Sequence, residues 1–169
     1  DGMGTGLGAE QEGKSTLAML RQMLTAGFPA EYTLQSLNSL CCLRGRAGAV
    51  TVDLAEVSLD TGKTALYKWG AAASVLLRGS NSEKIGTASP PPGLDVNKTR
   101  ETVDRLSLRR GEGLIMVSDG IGEGEAMRCC MDGVGKTPTE GAVELLSAAQ
   151  AGGMDDATGV AISLEPAED

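Results

Sequence analysis

Apolar residues recur at helical spacing in three parts of the chain. Leucines three or four residues apart predict a helix from Glu10 to about Ala26, followed by a second from Pro29 to about Leu43. A third helix is predicted from Pro138 to Gln150, and a short one is expected through Cys130. The first two helices are close enough in sequence to form a helical hairpin.

Elsewhere apolar and polar residues alternate at Ala49–Leu59 and Val103–Leu108, which predicts strands there. Further strands are predicted at Thr64–Trp69, Ser74–Arg78, Leu114–Val117 and Ala157–Leu164. Because Leu114–Val117 is apolar throughout, we expect it to be a central strand. The proline-rich segment Asn81–Lys98 is predicted to be a loop. Strands and helices do not alternate strictly, so the pattern favours an antiparallel α+β sandwich in a single domain over residues 1–169.

Composition removes several classes of function. The chain has 169 residues, no His, four aromatic residues and a net charge of −8. Without His it can form neither a Ser-His-Asp triad nor a His-ligated zinc site. An acidic, aromatic-poor chain is a poor binder of nucleic acid, and no apolar run is long enough to predict membrane contact by this segment. The adjacent pairs Cys41-Cys42 and Cys129-Cys130 lack metal-binding spacing, which favours buried thiols in a reducing cytoplasm.

Carboxylates stand at three Gly-rich or strand-terminal positions: Asp1, Asp119 and the pair Asp155-Asp156. Adjacent central strands at Leu114–Val117 and Ala157–Leu164 would bring Asp119 and Asp155 to one sheet edge. Clustered carboxylates either have raised pKa values or are compensated by a cation, and an all-oxygen ligand set selects Mg²⁺, Mn²⁺ or Ca²⁺. Each Asp taken alone is equally consistent with a turn residue or a helix cap.

A competing motif lies at Gly8–Ser15, which satisfies the P-loop pattern G-x4-G-K-S. A P-loop follows a strand, but residues 1–7 lack the pattern of a strand. In addition, Glu10 and Glu12 would place negative charge at the phosphate-binding site. The same two residues suit the first turn of a helix. We therefore keep a P-loop nucleotide binder as an alternative and favour a helix.

Three acidic motifs, in this order, resemble those of the metal-dependent protein phosphatases, the PPM or type 2C family. The motifs are D-G-M-G-T-G from Asp1, M-V-S-D-G ending at Gly120, and D-D-A-T from Asp155. The likeness is to the bacterial branch typified by stage II sporulation protein E and the RsbU-type sigma-factor phosphatases. It implies an αββα sandwich of antiparallel sheets flanked by helices. Since the family has strands before the first motif, it also implies a truncated domain whose own activity depends on strands that this chain lacks.

The resemblance further implies two Mn²⁺ or Mg²⁺ ions and hydrolysis of phosphoserine or phosphothreonine in a protein. By position, Asp1 resembles the ligand that bridges both metals, and Gly2 matches a main-chain carbonyl ligand. Asp119 and Asp155 match carboxylate ligands, and Asp156 stands where the family has Asp or Asn. Asp1, Asp119 and Asp155 are thus the expected catalytic set. Eukaryotic members have His where Met3 stands, so this chain would rely on metal-bound water instead.

The leading hypothesis is therefore a two-metal protein serine/threonine phosphatase. Family analogy suggests a small anti-anti-sigma factor as the phosphoprotein substrate, with roles in sporulation and sigma-factor regulation. The expected location is the cytoplasm, or the cytoplasmic face of a membrane-anchored parent protein. A non-catalytic, phosphatase-like module is the remaining alternative.

Overall fold

A computed structural model describes residues 2–4, 6–45, 50–79, 81–94, 103–121, 137–151 and 157–164. Its helices are α1 (Leu7–Thr25), α2 (Ala30–Arg44) and α3 (Pro138–Ala151). Its strands are β1 (Val52–Val57), β2 (Lys63–Trp69), β3 (Ser74–Arg78), β4 (Asn81–Ile85), β5 (Val103–Ser107), β6 (Glu112–Val117) and β7 (Gly159–Ser163).

The three longer predicted helices are confirmed. α1 begins at Leu7 rather than Glu10, and α2 begins directly after Pro29. Proline suits this place because its fixed φ matches a helix start and its missing N–H would have had no helical partner. The short helix predicted through Cys130 lies outside the described residues, as do Cys129 and Cys130 themselves.

The loop predicted over Asn81–Lys98 is wrong in its first part, because Asn81–Ile85 form β4. This strand pairs antiparallel with β3, from Ser74↔Ile85 to Arg78↔Asn81. Its residues are mostly polar and exposed, so they carry no apolar alternation from which a strand could be predicted. Pairing with β3 determines its conformation instead. Residues 86–94 form neither helix nor strand.

The strands form a three-stranded sheet of order β1-β2-β5 and a four-stranded sheet of order β4-β3-β6-β7. Every pairing in the larger sheet is antiparallel. β6 is an inner strand with residues 113–117 buried, which confirms the expectation from its apolar sequence. β7 pairs with β6 as expected, but within the described residues it is an edge strand rather than a central one.

The chain divides into two compact units. The first comprises Asp1–Leu54, Tyr67–Ala71 and Ala88–Thr102, and the second comprises Ala55–Leu66, Ala72–Thr87 and Val103–Asp169. In the first unit α1 packs on α2, whose buried side chains include Leu34, Leu37 and Cys41. The prediction of a single domain over residues 1–169 stays a prediction.

The second unit has a core on both faces of the four-stranded sheet. Because successive strand residues face opposite sides, β6 contributes Ile115 and Val117 to one cluster and Leu114 and Met116 to another. The first cluster packs against α3, through residues such as Leu145. The second packs against side chains of β2 and β5. This burial on both faces makes β6 a rigid support for the residues that follow it.

Within the part of the chain that the structure describes, no helix is both long and apolar enough to cross a membrane.

Candidate metal centre

Asp119 lies in a tight turn at the carboxyl end of β6. The strand is buried as far as Val117, whereas Asp119 is exposed. The Ile121 N–H donates to the Ser118 carbonyl at 3.1 Å, and the Ile121 side chain is buried in the core beside α3. The turn is therefore anchored on both sides, and it presents the Asp119 carboxylate at the edge of the sheet.

Two hydrogen bonds join this turn to the residues before β7. The Ser118 N–H donates to the Thr158 carbonyl at 2.9 Å, and the Thr158 N–H donates to Ser118 Oγ at 2.9 Å. They extend the β6–β7 pairing beyond Val117↔Gly159. The residue two positions before Thr158 is Asp156, so these bonds fix the chain close to the predicted carboxylate pair Asp155-Asp156. Asp155 and Asp156 themselves lie outside the described residues.

Gly2 is held in the first unit by close main-chain packing. It forms an isolated antiparallel bridge with Val50, and a Cβ at this position would stand 1.9 Å from the Ala9 carbonyl oxygen of α1. Such a contact is far inside van der Waals range, so only glycine fits there without displacing the backbone. The close approach of α1 therefore explains why glycine occupies this position.

The structure describes two of the five predicted ligands, Gly2 in the first unit and Asp119 in the second. Asp1, Asp155 and Asp156 lie outside the described residues, so assembly of all five stays a prediction. Among the described residues no group of three or more Asp, Glu, Cys or His could hold a metal. The donors that are described, a main-chain carbonyl and an exposed carboxylate, are the oxygen ligands that Mg²⁺ and Mn²⁺ prefer. The chemistry of these two donors therefore fits such a metal.

The P-loop alternative fails on geometry. Residues 8–15 all lie within α1, so they form no loop that could surround a phosphate. Lys14 forms an exposed ion pair with Glu10, one helical turn earlier. The Lys14 hydrogen bond and charge lower the pKa of the Glu10 carboxyl. Glu10 is in the first turn as predicted, but Glu12 is in the second, where it pairs with Arg44 of α2 at 3.1 Å.

A buried ion pair was not predicted from the sequence. Lys68 of β2 is 1% exposed and pairs with Asp53 of β1, which is 19% exposed. The signal is present in the sequence as a single charge inside the otherwise apolar segment Leu66–Trp69. A lysine in such a segment is buried only when it has a partner.

The model of the stage II sporulation protein E (SpoIIE) family matches residues 1–164. The chain belongs to this family. SpoIIE of Priestia megaterium is 33% identical over 125 residues, covering 73% of this chain and 21% of that protein. The chain therefore spans about a fifth of the length of this relative.

Solved structures of SpoIIE share the fold. The PP2C phosphatase domain of Bacillus subtilis SpoIIE, with a fragment of its regulatory domain, has a TM-score of 0.80 and 28% identity, covering 95% of this chain and 51% of that one. The phosphatase domain of the same protein presoaked with Mn has a TM-score of 0.61 and 25% identity, covering 91% and 74%. These likenesses confirm the predicted α+β, PPM-type fold and the SpoIIE/RsbU-like branch.

Proposed function

We propose that this SpoIIE-family chain is a metal-dependent protein phosphatase domain that hydrolyses phosphoserine or phosphothreonine in a regulatory protein. The observation that carries the proposal is the placement of Asp119. It stands at the end of a buried strand, and the paired Ser118–Thr158 hydrogen bonds tie its turn to the residues just after Asp155-Asp156. Further support comes from the phosphatase domain of B. subtilis SpoIIE, which has the same fold.

We assign the metal ligands to Asp1, the Gly2 carbonyl, Asp119, Asp155 and Asp156, with two Mn²⁺ or Mg²⁺ as the ions. Bound metal would supply an activated water and neutralise charge on the phosphoryl group. The protein orients the oxygen donors through two rigid attachments: the Asp119 turn on β6 and the Gly2 main chain on α1. The chain contains no His to protonate the leaving group.

The phosphoprotein is proposed to be an anti-anti-sigma-like regulator, by analogy with the family branch. The proposed location is the cytoplasm, or the cytoplasmic face of a membrane-anchored parent.

The test is phosphate release from a phosphoserine protein in the presence of Mn²⁺, comparing wild type with Asp119→Asn. Removing one ligand charge should weaken stabilisation of the transition state by several kcal/mol, so we expect a loss of about 100-fold or more. Asp60→Asn is the matched control, since Asp60 is another exposed carboxylate in a turn of the same unit. If Asp119→Asn released phosphate as fast as this control, the assignment of Asp119 would be wrong.

A further inference from the structure

The buried ion pair between Lys68 and Asp53 is difficult to explain by stability alone. Both groups lie largely out of water, and among the described residues Asp53 Oδ1 has no hydrogen-bond partner. Burial raises the pKa of the Asp53 carboxyl, although the Lys68 charge and hydrogen bond oppose this. Replacing such a pair with apolar residues of similar volume is often neutral or stabilising. The pair therefore calls for a second role, which its surroundings suggest.

A proline-rich segment, residues 89–94, packs against the end of β2 that carries Lys68. We call this segment the strap. Ser89 Oγ donates to the Lys68 carbonyl, and the Gly70 N–H donates to the Ser89 carbonyl at 2.8 Å. Pro91 fills the space beside Gly70, where a Cβ would come within 2.5 Å of the proline ring. The strap thus contacts the main chain on both sides of Trp69.

The other end of the strap is fixed to α2. The Gly93 N–H donates to Asn38 Oδ1 at 2.9 Å, and Asn38 is 7% exposed. Gly93 has a φ of +87°, and a Cβ there would stand 2.8 Å from Cys41 Cβ. Both the left-handed conformation and the close approach require glycine. The strap is therefore a tight connection between α2 and the end of β2.

The same strand end is connected to Gly2 through the first residue of β1 and the residues just before it. Val52 forms a parallel bridge with Gly70, and Val50 forms the antiparallel bridge with Gly2. Asp53 directly follows Val52. The Lys68–Asp53 pair therefore joins β2 to β1 near both bridges. Asp53 is one residue from Val52, which bridges to Gly70, and three residues from Val50, which bridges to Gly2.

We propose that Lys68 is a positioning residue for the metal centre. Its ion pair with Asp53 fixes the start of β1 against the strap-held end of β2, and the residues just before β1 form the bridge from Val50 to Gly2. Apolar side chains in place of Lys68 and Asp53 would preserve the fold but allow the start of β1 to shift. This inference rests on the proposed function, because Gly2 is a ligand only if the domain binds metal.

The test is the double variant Lys68→Met with Asp53→Leu, which replaces the charges with apolar side chains of similar size. We expect the metal-free melting temperature to be unchanged or higher, and Mn²⁺ measured by calorimetry to bind at least about 10-fold more weakly. Ser89→Ala, a milder change at the strap, should shift the affinity in the same direction. The control is Arg44→Met with Glu12→Gln, which removes the exposed α1–α2 pair and should leave Mn²⁺ affinity unchanged.

Hydrogen exchange of the metal-free protein separates this inference from the proposed function. In the Lys68/Asp53 double variant, peptides covering residues 2–9 and 50–54 should exchange faster, whereas the α3 peptide should not change. If wild type bound no Mn²⁺, the proposed function and the positioning role would both fail, and faster exchange in the double variant would show only that the ion pair holds the Gly2 segment in place. Wild-type Mn²⁺ affinity together with unchanged exchange in the double variant would overturn the inference.

Discussion

A lysine that is 1% exposed needs a partner, and Lys68 has one in Asp53. Neither residue could be assigned this role from the pattern, because alternation reports which face a residue occupies but not which charges meet across strands. The glycines were more informative. Gly2 was predicted as a site residue from its motif, and the structure shows the steric reason for glycine there, since the Ala9 carbonyl occupies the space of a Cβ.

The buried Asp53 carboxyl should make the stability of the protein depend on pH. Its folded-state pKa lies above the ordinary value of about 3.9, because burial opposes ionisation. Its contribution to stability should therefore be fully present below that value and be lost as pH rises through the raised pKa. Urea unfolding measures this effect. As pH rises from acidic to neutral, wild type should lose stability relative to Asp53→Asn.

The difference in stability between wild type and Asp53→Asn should stop changing above the raised pKa, where Asp53 is ionised in both the folded and the unfolded state. If wild type instead gained stability relative to Asp53→Asn as pH rose, the Lys68 charge would outweigh burial, and the direction assigned to the Asp53 pKa would be wrong.

At the scale of elements, the junction between β6 and β7 fixes the turn that carries Asp119. Sequence patterning predicted both strands, and the expectation that they are neighbours is confirmed, although only β6 is buried. It could not predict the Ser118–Thr158 hydrogen bonds, which depend on the register Val117↔Gly159. β4 was missed for the opposite reason, since its polar side chains carry no strand signal and only its pairing with β3 defines it.

Ser118→Ala tests this junction. The variant removes the hydroxyl that accepts the Thr158 N–H but leaves the Ser118 N–H bond in place. We expect a stability loss of only about 0.5–1.5 kcal/mol, and Mn²⁺ binding that is about 10- to 100-fold weaker, because residues that orient ligands act strongly on affinity. Urea unfolding and Mn²⁺ calorimetry measure the two effects separately.

The matched control is Ser147→Ala on α3, which removes an exposed hydroxyl that donates to the Val143 carbonyl at 2.8 Å. Because Ala is the better helix former, it should leave stability unchanged or slightly higher, and it should leave Mn²⁺ affinity intact. Ser118→Thr, which keeps the hydroxyl, should restore binding. Equal Mn²⁺ affinities in Ser118→Ala and Ser147→Ala would show that the hydroxyl contributes only to folding.

At the scale of the whole molecule, the three ordered acidic motifs were enough to predict the family and fold, both of which the SpoIIE likenesses confirm. The P-loop pattern shows the limit of a short motif without context, since its residues form the first turns of a helix. The site is only partly placed, because the Gly2 and Asp119 attachments lie in different units and the remaining ligands fall outside the described residues. A motif identifies ligand types, whereas their assembly depends on long-range packing.

The most direct test of the central claim is calorimetric titration of Mn²⁺ into the nucleotide-free protein, comparing wild type with Asp119→Asn and Asp60→Asn. A carboxylate-lined site should give saturable binding in wild type and Asp60→Asn that is lost in Asp119→Asn. Equal binding by all three proteins would place the metal elsewhere, and would contradict a metal centre built on Asp119.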